Sequence, residues 1–276
     1  MGRKIVKYLF VYFSALVVMF VSVFPFLWML STSLKRNRDI FSLAPKIIPP
    51  VVSFEHYATV FRQSNFPRYF MNSVIIAVAT TILGIGVAAL AAYAFSRFRF
   101  SGKKMLLVMI LAVQMFPAVV LIIPLFIVMR RLDLLNTYQG LVITYITFTL
   151  PFGVWMLKGF FDAIPNELEQ AAMIDGCGRM GAFLRVVLPV AGPGLAATSI
   201  YSLIAAWNDF MFAITFINKE EMSTLPMALQ SFFGQFTVEW GPVMAASVIF
   251  TIPVLVFFLV VQKQLTTGMV KGAVKG

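Results

Sequence analysis

The chain of 276 residues reads as an all-α integral membrane protein with six transmembrane helices and both termini in the cytoplasm. A short polar helix joins the fourth span to the fifth. Three observations carry that reading. Hydrophobic residues make up 60% of the chain and charged residues only 12%, where a soluble domain carries about 25%. Six apolar runs approach or exceed the ~20 residues that cross a bilayer as a helix. The cations cluster beside those runs, as membrane topology requires.

The first run, 8–31, follows Arg3, Lys4 and Lys7. It is too long for a cleaved signal and has no small-residue cleavage site after it, so it is expected to stay as an anchor helix. The other runs are 72–95, 105–129, 139–160, 190–217 and 243–262. Arg97, Arg99, Lys103 and Lys104 crowd the short link between spans two and three. The positive-inside rule puts that link in the cytoplasm, and Lys263, Lys271 and Lys275 agree. The outer loop 32–71 opposes it with Lys35, Arg36, Arg38, Lys46, Arg62 and Arg68 against Asp39 and Glu55. Short loops weigh more in that rule, so the assignment stands. Pro45, Pro49 and Pro50 forbid a continuous helix in this loop, which is expected to fold as a cap. Residues 218–242 are a second candidate surface on that side. The whole chain is expected to be one transmembrane domain.

Composition also excludes functions. The net charge is +11 and the pI about 10.0, but the cations follow the membrane runs rather than forming a nucleic-acid face. Cys177 is the one cysteine and His56 the one histidine, so neither a disulfide nor a cysteine-based metal site is open to the chain. No acid–base or nucleophile constellation appears. We therefore expect no catalytic residue, no metal and no cofactor.

Within the spans, Gly84, Ala88 and Ala92 recur every four residues and let another helix approach. Pro117, Pro124, Pro151 and Gly153 punctuate spans three to five, and such irregularity is tolerated where neighbours satisfy the freed backbone. Polar residues are costly here and tend to face a pore or a partner helix. The substrate-path candidates are Gln114, Trp207, Asn208 and Asp209; the threonines at 144, 147 and 149 are candidates of little weight, because threonine can bond to its own helix backbone. Asp209 is the lone acid in a predicted span. It lies about 20 residues beyond Pro189, roughly 30 Å along a straight helix, which places it near the outer interface. Both packing and the transport path remain open to it. There is no arginine ladder, no paired midplane carboxylate and no symmetric pair of broken helices, so an external energy source is the expectation.

The longest internal connection, 161–188, is polar and glycine-rich. Pro165 and Asn166 suit a helix start, with Glu167 and Glu169 in the first turn. Leu168, Ala171, Ala172 and Asp175 fall on one face. A helix of about ten residues ends at Gly176, and a second piece, 179–187, leads to Pro189. Lipid-surface helices favour basic polar faces; this one opens with acids, which favours docking to a protein. Gly176, Gly178 and Gly181 spell G-x-G-x-x-G, but no strand precedes them, and Gly102-Lys103-Lys104 lacks the Ser or Thr of a P-loop. The chain is not expected to be a P-loop ATPase by itself.

Residues 165–189, PNELEQAAMIDGCGRMGAFLRVVLP, resemble the EAA loop of binding-protein-dependent ABC importer permeases. Gln170-Ala171-Ala172, Gly176 and Val186-Val187-Leu188-Pro189 carry the match. WNDFMFAITFI (207–217) and the tail GMVKGAVKG resemble the MalG-type subgroup of carbohydrate importers. The resemblance implies the type I importer permease fold, with 165–181 as the coupling helix. Glu167, Glu169, Gln170, Ala171, Ala172, Asp175, Gly176, Leu188 and Pro189 would then face or brace a dimeric cytoplasmic ATPase, which binds ATP and Mg. It further implies a homologous MalF-like permease, an extracytoplasmic solute-binding protein and an oligosaccharide or polyol substrate. The place implied is the prokaryotic inner membrane. The chain departs from the family at Gln170, where the pattern has Glu; a neutral hydrogen bond there is worth about 1 kcal/mol instead of 1.5–3. Two alternatives stand beside this reading: an importer of glycerol phosphate or a related phosphodiester, and an ATP-independent secondary carrier.

Overall fold

The computed structural model describes residues 2–42, 44, 46–63, 65–234 and 237–273. Pro45 and Lys275 lie outside the described residues. The side chains of residues 2–5, 63 and 266–273 are likewise outside the description, and with them Arg3, Lys4 and the tail GMVKGAVKG with its Lys271.

Among the described residues the regular elements are helices, with one isolated antiparallel bridge between Phe233 and Val238. In chain order they are α1 (Gly2–Ser33), α2 (Asn37–Ile40), α3 (Glu55–Gln63), α4 (Phe66–Arg97), α5 (Lys103–Ala112), α6 (Ile122–Arg131), α7 (Tyr138–Asp162) and α8 (Asn166–Ile174). They continue as α9 (Arg179–Ala182), α10 (Leu188–Val190), α11 (Gly192–Asn208), α12 (Met211–Phe216), α13 (Leu225–Ser231) and α14 (Trp240–Ala273). Helices α1, α4, α7 and α14 are each long and apolar enough to cross a membrane, and the count reaches 6 if each of two bent pairs is one span.

Two of the expected spans include a sharp break. The run 105–129 breaks by 99° between Met115 and Ala118. Pro117 sits in the gap with extended backbone (φ −58°, ψ 128°); without an N–H it cannot continue the ladder from α5. The run 190–217 is not one rod either. The helical stretch ending at Val190 meets α11 at 78°, where Pro193 in the first turn of α11 starts a new helix. A second break at Asp209 and Phe210 separates α11 from α12. Pro151, by contrast, lies inside an unbroken α7.

The chain divides into two compact units. The first comprises residues 1–67 and 228–252. Here α1 exposes nearly all its apolar side chains, which suits contact with lipid or another chain. The loop after it is tied down by hydrogen bonds within this unit. The amide of Ser53 donates to the Leu34 carbonyl at 2.9 Å, and buried His56 donates from Nε2 to the Lys35 carbonyl at 2.7 Å. Gly241 lies flat against the imidazole, leaving no room for a Cβ. Lys35 is not a free surface cation. It is buried with Nζ 4.4 Å from the Trp28 ring centroid, and burial pushes its pKa below the usual lysine value, against a smaller opposing pull from Asp39.

The second unit comprises residues 68–227 and 253–276. Its centre is where α4, α7 and α11 meet. A Cβ on Gly153 would come within 3.1 Å of Ala88 Cβ and 3.3 Å of the Thr198 methyl. One level away, Gly84 faces Ile146, Thr149 and Ser202. The small-residue stripe of α4 is thus the seat of α7, with Ala88 and Ala92 fully covered. Toward the C-terminal end of α4 this packing widens into a core of Tyr93, Phe95, Leu157, Phe161, Phe183 and Val187, and the polar segment rests against that core.

Candidate functional site

Two places in the second unit carry functional geometry. The first is the polar segment. Helix α8 follows α7 after three residues, Ala163 to Pro165. It ends in a glycine-dependent cap: the Cys177 amide donates to the Ala172 carbonyl at 3.0 Å and the Gly176 amide to the Met173 carbonyl at 3.2 Å. This is a Schellman closure, and it needs Gly176 at φ +90°. The chain then re-enters helix as α9, loosens into a π-helical stretch over Phe183–Val187, and continues through Leu188 and Pro189.

The two faces of α8 differ. Glu167, Leu168, Gln170, Ala171 and Ile174 are exposed, Ile174 at 86%. On the opposite face Glu169 is buried. Arg97, at the end of α4, donates from Nε to Glu169 Oε2 at 2.9 Å, with side-chain exposures of 11% and 7%. Tyr93 donates its hydroxyl to the other carboxylate oxygen. Arg97 also donates from Nη2 to the Ile164 carbonyl at 3.0 Å. Losing one partner of such a buried pair costs about 3–5 kcal/mol.

The second place is a cavity of about 270 Å³ at the broken helices. Its lining includes Gln114, Tyr145, Phe148, Tyr201, Asp209 and Phe212. Asp209 fills the gap between α11 and α12. Its Oδ2 accepts from the Tyr145 hydroxyl at 2.7 Å and from the amides of Phe212 and Ala213 at 3.2 and 3.1 Å. Gln114 donates to the Phe148 carbonyl at 3.1 Å. The wall therefore combines aromatic faces with a carboxylate and an amide, the mix that orients a ligand in an otherwise apolar pocket.

The family model for the binding-protein-dependent transport system inner membrane component matches residues 84–271, which include both places. The chain belongs to that family. The permease is 39% identical over 262 residues to the diacetylchitobiose uptake system permease protein DasC of Streptomyces coelicolor, covering 94% of this chain and 95% of that one. It is 36% identical over 279 residues to the trehalose/maltose transport system permease protein MalG of Thermococcus litoralis, covering 100% of both. In fold it is similar to a chain of a bacterial ABC transporter that imports the acidic polysaccharide alginate. That likeness has a TM-score of 0.80 at 22% identity, with 95% and 97% of the two chains covered. The permease is a multi-pass inner-membrane transport subunit and not an enzyme.

The permease brings together some of the residues expected from sequence and separates others. Gln114 and Asp209 share the cavity, but Trp207 and Asn208 are not among its lining residues. Trp207 is buried edge-on against Phe70, ring centroids 6.0 Å apart, and Asn208 is exposed. The straight-helix estimate for Asp209 does not apply, because the helix it assumed is broken. In the polar segment, Ala172 is half-buried while Leu168, Ala171 and Asp175 are exposed. Glu169 turns into the permease, away from the outward face, because α4 ends directly beneath it. Sequence reasoning missed Tyr145 and Tyr201 in the cavity wall and Ile174 on the outward face. An isoleucine on a short polar helix was the available signal for the last.

Proposed function

We propose that this permease is one of two membrane subunits of an ATP-driven importer for a carbohydrate, an oligosaccharide or a polyol. Its two units act together as a single permease domain of six spans, counting each bent pair once, with both termini in the cytoplasm. The observation that carries the proposal is α8: a short, closed helix whose outward face, Gln170, Ala171 and Ile174, is exposed among the described residues. Leu168 and Ile174 are both exposed on this short polar helix, which suits a contact with a partner protein. A dimeric cytoplasmic ATPase holding ATP and Mg would seat that face, with Glu167, Gln170, Ala171 and Ala172 around Ile174, and Asp175 and Gly176 closing the end. Leu188 and Pro189 would carry motion onward into α11. A homologous MalF-like permease supplies the other half of the path, and an extracytoplasmic binding protein delivers the sugar. Relatives named for diacetylchitobiose and trehalose/maltose favour a sugar. Tyr145, Tyr201 and Asp209 offer it flat apolar faces and a hydroxyl acceptor. A basic outer loop would suit the anionic phosphodiester alternative, but Lys35, one of its six cations, is buried.

The test is purification of the tagged permease in mild detergent from its native host, with ATP hydrolysis measured with and without the liganded binding protein. The expected result is a co-purified ATPase and second permease whose hydrolysis the binding protein stimulates. Asp209→Asn is expected to reduce sugar uptake while leaving the subunits together. A permease that elutes alone under conditions that preserve other complexes would point to an autonomous carrier.

A further inference from the structure

The polar segment is held to one end of one helix from both sides of its turn. Before the turn, Glu169 of α8 has both carboxylate oxygens occupied, one by Arg97 Nε and one by the Tyr93 hydroxyl. After the turn, the Arg179 guanidinium of α9 lies 4.9 Å from the Phe98 ring centroid. Farther on, Phe183 packs 4.6 Å from the Tyr93 ring centroid. Residues 93–98 are thus gripped by α8, α9 and the π-helical stretch. The same end reaches back to α7. Ser96 donates to Asp162 Oδ1 at 2.7 Å, and Arg97 donates to the carbonyl of Ile164 in the linker. Arg97 is the hub, and its planar fork serves Glu169, Ile164 and Ser96 together.

We propose that Arg97, Glu169 and Tyr93 are positioning residues that transmit the motion of α8 to α4, and that Glu169 acts inside the permease and not on the ATPase. The proposal rests on the reading of α8 as the ATPase-docking helix. The three-residue linker ties α8 to α7 covalently, whereas α4 is separated from α8 along the chain by α5 to α7, so the clasp is the hydrogen-bonded contact between the two helices. A displacement of α8 that leaves the clasp intact must carry the end of α4 with it. Because α4, α7 and α11 share the Gly153 junction, that motion reaches the helices that wall the cavity. The acid at 169 also accounts for a neutral Gln170: the buried face needs the carboxylate, whereas the outward face presents an amide.

The experiment uses the complete complex in nanodiscs and reads sugar transported per ATP hydrolysed. Glu169→Gln and Arg97→Gln are expected to keep the ATPase bound and hydrolysing while that ratio falls about tenfold, within the range by which residues along a coupling route act. Arg97→Lys, which keeps the charge but loses the fork, should recover part of it. Because a lone buried charge can unfold the end of α4, the apolar pair Arg97→Met with Glu169→Leu is measured too. It is expected to assemble with normal stability and remain uncoupled. An unchanged ratio in the single variants or the apolar pair would overturn the proposal. So would loss of the ATPase in Glu169→Gln with the protein still folded, since that places Glu169 in the docking contact. A wild-type permease that brings no ATPase at all would instead overturn the reading of α8 itself.

Discussion

Gly176 stands at φ +90°, a conformation that L side chains rarely adopt. Nothing lies within 4 Å of where its Cβ would be, so any penalty for Gly176→Ala comes from backbone strain, about 1–2 kcal/mol. Hydrogen exchange at the amides of Asp175, Gly176 and Cys177 is expected to speed up by roughly 5- to 30-fold. Gly176→Asn should do less damage, because asparagine tolerates this position better. This residue was legible in the sequence, since a glycine after a short amphipathic run can be read as a helix stop without knowing the fold. Glu169 was not. Helical spacing separates it from Gln170 but does not say which face meets the protein, because that depends on where α4 ends. Tyr145 was hidden for a similar reason. An aromatic in a span is ordinary until the break at Asp209 aims a carboxylate at its hydroxyl.

At the scale of elements, the junction of α4, α7 and α11 has no spare room at Gly153. Gly153→Leu would drive a branched side chain into Ala88 and Thr198. The expected cost is about 1–3 kcal/mol or more, read as a lowered thermal midpoint of the detergent-solubilised protein. Gly86, with nothing within 4 Å of its Cβ position, is the matched control, and Gly86→Ala should leave the midpoint unchanged or raise it slightly. The spacing of Gly84, Ala88 and Ala92 announced a close helix contact, because small residues four apart can serve little else on an apolar helix. The breaks were only half legible. Pro117 marks a place where a ladder must fail, yet Pro151 lies in an unbroken α7. What distinguishes them is the packing around each. The angle between half-helices also belongs to packing, so the run 190–217 looked like one rod when only its composition was visible.

The molecule as a whole carries its own topological reporter. Cys177 is the sole cysteine, partly exposed just beyond the cap of α8. A membrane-impermeant maleimide should label it in inverted vesicles stripped of peripheral subunits and leave it unlabelled in intact right-side-out preparations. Labelling in the right-side-out preparations alone would invert the proposed orientation. Membrane residence was plain from composition, because a chain that is 60% hydrophobic has no way to hide that surface in one core. The division into two units was not, since no linker or change in composition marks it. The buried and exposed sides of α8 use separate residues, Glu169 inward and Gln170, Ala171 and Ile174 outward. If an ATPase docks there as proposed, evolution could exchange one motor for another by rewriting the outward letters alone, and an engineer could graft a foreign ATPase's preferred surface onto α8 without disturbing the Arg97–Glu169–Tyr93 clasp beneath it.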